Sequence, residues 1–67
     1  MQNHLMEHLV EQIYKLIRSR KHEIGEQMIY GGVKDIDHYH GLVGEVRGLQ
    51  MVEDEMTRIL KKVESDQ

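Results

Sequence analysis

An all-α fold, an antiparallel two-helix hairpin, is the architecture this chain predicts, and three observations carry it. Apolar residues recur at three- and four-residue spacing through both halves, proline is absent from all 67 residues, and the two periodic stretches meet at the short segment "YGGVKD". Strand-type alternation, internal repeats and low-complexity linkers are not seen.

The first stretch predicts a helix over residues 3–30. Leu5, Met6, Leu9, Val10, Ile13, Leu16, Ile17, Ile24 and Met28 build its apolar stripe, while Lys15, Arg18, Ser19 and His22 fall on the far side. Asn3 is placed to cap its start, and Gly31 and Gly32 supply the backbone freedom for a left-handed stop. Gly25 is its one weak point. A turn over 31–35 follows, with Asp35 as N-cap of a second helix over 36–64. There Tyr39, Leu42, Val46, Leu49, Val52, Met56, Ile59, Leu60 and Val63 form the stripe.

Two helices of similar length joined by so short a connection pair most simply as an antiparallel hairpin, with facing residue numbers summing to about 65. That register sets Leu9 against Met56, Ile13 against Val52 and Leu16 against Leu49. It also sets Ile24 against Gly41, Ile17 against Gly48 and Arg20 against Glu45. At 100° per residue, Arg20 falls inside the first apolar stripe, and Glu45 lies inside the second, between the glycines and Leu49. Each charge interrupts an apolar face at the same level, so the two are expected either to pair, partly buried, and fix register or to snorkel to the groove edge.

Gly41, Gly44 and Gly48 sit in the second helix at a propensity cost of about 2 to 3 kcal/mol relative to alanine. Close packing of another helix against them is the expected return, with a kink near Gly41 to Gly44 as the rival. "GLVGEVRG" lacks the strand-then-loop setting and the Gly-Lys-Ser/Thr of a nucleotide loop, so no nucleotide or other cofactor is expected.

Composition narrows the function classes. A chain this short buries a modest share of its surface, which favours oligomerisation. With no cysteine it has neither a disulfide nor a thiolate metal site. No leader or membrane span is expected, since "MQNHLMEHLVEQ" has neither a basic nor an apolar signal region and apolar runs are short. A net charge of −3 with interspersed signs argues against phosphate-backbone binding and for protein partners. In "RSRKH", Arg18, Lys21 and His22 line one helix edge, but Glu23 and Glu26 follow at once and no aromatic platform accompanies them.

His4 and His8, one turn apart near Glu7 and Glu11, have the spacing of two metal ligands without the rest of a site. His38 and His40 point to different sides of a helix start. No metal is expected. Nucleophilic catalysis is disfavoured by the lack of cysteine, by serines at only Ser19 and Ser65 and by Thr57 lying in a charged stretch with no histidine nearby, and two helices enclose no pocket, so the chain is read as a non-enzyme.

The segment "GGVKDIDHYHGLVGEVRGLQMVEDEMTRILKK" resembles a small family of helical bacteriophage proteins whose genes lie among virion and packaging genes. The matching positions are Gly32, Lys34, Asp35, Tyr39, Gly44, Gly48 and Leu49, across about half of the chain. The resemblance implies a phage-encoded structural or assembly part, bound to a portal, capsid or neck component, in the virion or the host cytoplasm. The rival function is a small phage regulator that binds and inhibits a host protein or assists DNA packaging. Apolar surface beyond what one hairpin covers is expected to carry the interface, either with further copies of the chain or with a larger phage protein. Its candidate residues are Val10 and Tyr14 with Lys21 on one flank, Ile29, Tyr30 and Val33 beside the turn, and the Gly41, Gly44 and Gly48 face.

Overall fold

The computed structural model describes residues 4–66, so the expected Asn3 cap lies outside the described residues. Two helices, α1 (His4–Ile29) and α2 (Ile36–Ser65), pack side by side with no strand among the described residues. The shape is a rod of 50 × 18 × 13 Å. Its length is close to the ~45 Å expected of a 30-residue helix, as a hairpin requires.

Local chemistry sets the ends of both helices. Gly31 takes φ of 83°, and the Gly32 amide donates to the Gln27 carbonyl at 2.8 Å. This six-residue closure is a Schellman stop, which satisfies a carbonyl that the end of α1 would otherwise leave open. At the start of α2, extended Asp35 accepts a 2.7 Å hydrogen bond from the His38 amide. The His38 ring returns the contact by accepting from the Lys34 amide through Nδ1 at 3.0 Å, so the turn is held from both sides. Despite its glycines, α2 runs unbroken from Ile36 to Ser65.

The faces that the two helices turn to each other depart from those expected. The buried side chains are Ile17, Ile24 and Leu42, of which Ile24 is fully enclosed. Val10, Met28, Val46, Leu49, Met56 and Leu60 are partly covered around them. Leu9, Ile13, Leu16 and Val52, expected to face the opposite helix squarely, instead lie at its rim, with Leu16 70% exposed. The physical reason is the width of the stripe: in α1 it spans about 140°, and one neighbouring helix covers only part of that arc. Contact took one edge and left the other open.

The glycines do not line the helix contact either. A Cβ placed on Gly41, Gly44 or Gly48 would meet no atom within 4 Å, so the close approach expected opposite Ile17 and Ile24 is not made within the hairpin.

Candidate functional site

The groove between the helices has two unlike sides. On one, Tyr14, Arg18 and Lys21 project from α1 at helical spacing and meet Gln50, Glu53 and Thr57 of α2. Thr57 Oγ1 donates to the Glu53 carbonyl at 3.0 Å and stands 2.8 Å from the Tyr14 hydroxyl. Its single proton is thereby committed, so Tyr14 is the donor to Thr57. Arg18 Nε donates to Glu53 Oε2 at 3.0 Å, and Lys21 Nζ donates to Glu53 Oε1 at 3.0 Å and to Gln50 Oε1 at 2.5 Å. The Arg18 guanidinium also lies over the Tyr14 ring, 5.1 Å from its centroid. The Glu53 side chain is 13% exposed, and the hydrogen bonds from Lys21 and then Arg18 hold its carboxyl below the ordinary value against the opposing effect of burial.

This polar clasp was missed in the sequence reading, which put Arg18 on the far side of α1. The available signal was Glu53 itself: it sits seven residues from both Val46 and Leu60, inside the apolar stripe of α2. The clasp also bears on two expectations: Tyr14 reaches across to Thr57 rather than standing on a free flank, and Arg18 and Lys21 pair with Glu53 rather than lining an open basic edge.

On the other side Arg20 and Glu45 meet as expected, in a two-pronged pair. Arg20 Nε donates to Glu45 Oε2 at 2.5 Å and Nη2 to Oε1 at 2.9 Å. Both side chains are 39% exposed, so the pair closes the rim of the groove and is not buried. Its hydrogen bonds hold the Glu45 carboxyl below and the Arg20 guanidinium above their ordinary values, with burial opposing both. Arg20 Nη1 also stands 3.6 Å from Glu23.

Because Arg20 and Glu45 touch, the flanks to which they belong share one side of the hairpin. Ile13 and Leu16 lie seven and four residues before Arg20, and Gly41, Gly48 and Val52 lie within seven of Glu45. Gly44 is turned about 100° away from Glu45. At the turn, Ile29, Tyr30 and Ile36 are 73, 79 and 66% exposed, with Val33 partly covered beside them.

Among the described residues no group of three or more His, Asp, Glu or Cys is placed to hold a metal ion, and no helix is long and apolar enough to cross a membrane. What the arrangement defines is a helical hairpin clasped on one side, apolar on the other and apolar at its turn. No family model, curated protein or solved structure matches the chain.

Proposed function

We propose that the chain is a non-enzymatic phage structural or assembly part that acts by docking its helical hairpin against a larger phage protein. The observation that carries the reading is the apolar turn, where Ile29, Tyr30 and Ile36 stand mostly outside the fold. Clustered side chains of this kind mark a surface that a partner covers. The resemblance of "GGVKD…GLVGEVRGL" to phage proteins encoded among virion and packaging genes supports a virion component as that partner. The acidic balance and the internal pairing of Arg18 and Lys21 support a protein rather than a nucleic acid.

Mass spectrometry of purified, chemically cross-linked particles of the encoding phage tests it. The expected result is recovery of this chain at fixed stoichiometry, with Lys34 beside the turn cross-linked to a portal, capsid or neck protein. Particles that lack the chain, or its recovery on a host protein, would overturn the assignment.

A further inference from the structure

The hairpin leaves the apolar side of its groove uncovered. Leu9, Ile13 and Leu16 of α1 are 52, 37 and 70% exposed there, facing the same way as Val52, Ile59 and Val63 of α2, each about half exposed. We propose that this strip is covered by a second copy of the chain, its rod antiparallel to the first, to give a four-helix bundle with a twofold axis near Leu16 and Val52. The inference does not rest on the phage assignment.

Three observations select a second copy as the occupant. The first is area. The hairpin exposes 5664 Å², whereas a folded monomer of 7.9 kDa exposes about 4,400 Å². The surplus exceeds the ~800 Å² that each partner contributes to a stable interface.

The second is charge. A twofold contact presents one surface to itself, so unpaired charge near the axis would repel its own image. The charges that interrupt this strip, Arg20, Glu45 and Glu23, are tied to one another within each chain.

The third is shape. The half of the strip far from the turn carries bulky side chains, while the half near the turn carries Gly41 and Gly48, where nothing stands within 4 Å of a Cβ position. Antiparallel copies set bulk on glycine at both ends, whereas parallel copies set bulk on bulk and glycine on glycine. Left-handed four-helix packing accepts such a seam. The product is a rod with one apolar turn at each end.

Sedimentation equilibrium of the full chain at micromolar concentration is expected to give twice the 7.9 kDa chain mass. Leu16→Glu should weaken association at least tenfold, and Lys15→Glu, pointing away from the strip, should leave it unchanged. Because Leu16→Glu also threatens the fold, orientation and contact are read separately by disulfide trapping, which the absence of native cysteine makes clean. Leu16→Cys lies near the axis and is expected to form a linked dimer, whereas Leu5→Cys, at the far end of the rod, is not. A monomer at this concentration, failure of Leu16→Cys to link, or efficient linking of Leu5→Cys would each overturn the antiparallel dimer. Sedimentation and trapping need only this chain, so their failure is distinct from failure of the particle assay.

Discussion

Gly31 and Gly44 show how one residue type serves two ends. With φ of 83°, Gly31 occupies the left-handed region, where an L side chain costs about 1 to 2 kcal/mol. Gly44 lies mid-helix with open space around it and points away from the apolar strip. Gly31→Ala is therefore expected to lower stability by about 1 kcal/mol or more, and Gly44→Ala to raise it by about 0.5 to 1 kcal/mol. Urea unfolding checks both, and the same sign for the two would contradict this division. Arg20 and Glu45 invite a charge exchange. Arg20→Glu or Glu45→Arg alone puts like charges across the groove rim, and each is expected to lower the melting temperature. The double exchange should restore most of the loss, because the two-pronged contact at 2.5 and 2.9 Å can form in reverse. A double variant no better than the worse single would show that the contact does not join the helices.

Each helix owes its limits to a few polar atoms near the turn. Asp35 satisfies the His38 amide, one of the four donors that the start of α2 leaves without partners. Asp35→Ala is expected to cost about 1 kcal/mol, and Asp35→Asn or Asp35→Ser much less, measured by thermal or denaturant unfolding. Equal losses from all three would mean that the carboxylate charge beside the helix start outweighs its role as acceptor. These caps were legible beforehand, because capping depends on residues within five positions of each other. Glycine at 31 and 32 and aspartate at 35 admit few other local structures. The Lys34 to His38 contact was not anticipated, since it needed the ring to turn back toward the chain entering α2.

The assembled hairpin is joined by carboxylates that work only when ionised. Lys21 and Arg18 hold Glu53 below its ordinary value by hydrogen bonding and Arg20 does so for Glu45 across the groove, while Arg58 does so for Glu55 within α2 alone. A depressed carboxylate binds fewer protons when folded than when unfolded. Its contribution is therefore complete above the ordinary value of 4.5 and lost as pH falls through the lower folded value. The melting temperature is expected to drop on acidification below that point. Glu53→Gln should be less stable than the parent near neutral pH and less sensitive to acid, as melts followed by circular dichroism between about pH 6 and pH 3 will report. A variant with an unchanged acid response would remove the clasp from the account.

Helix positions, the glycine stop, the aspartate cap and the hairpin topology are all written in short-range pattern, where spacing of three and four residues and the chemistry of the turn leave little choice. Rotation of each helix about its own axis is not, because an apolar stripe of about 140° is satisfied by contact anywhere within it. Contacts between residues 25 to 43 positions apart accompany the arrangement the fold adopts: Tyr14 with Thr57, Arg18 and Lys21 with Glu53, and Arg20 with Glu45. Arg20 with Glu45 was foreseeable because both charges interrupt apolar faces at one level. The other pairs belong to a register displaced from the expected one, bridged by long side chains. That rotation buries Ile17, Ile24 and Leu42 while leaving Leu9, Ile13 and Leu16 at the rim. The same apolar pattern would have allowed the reverse, and the geometry of two packed cylinders, each able to cover only part of the other, chose between them.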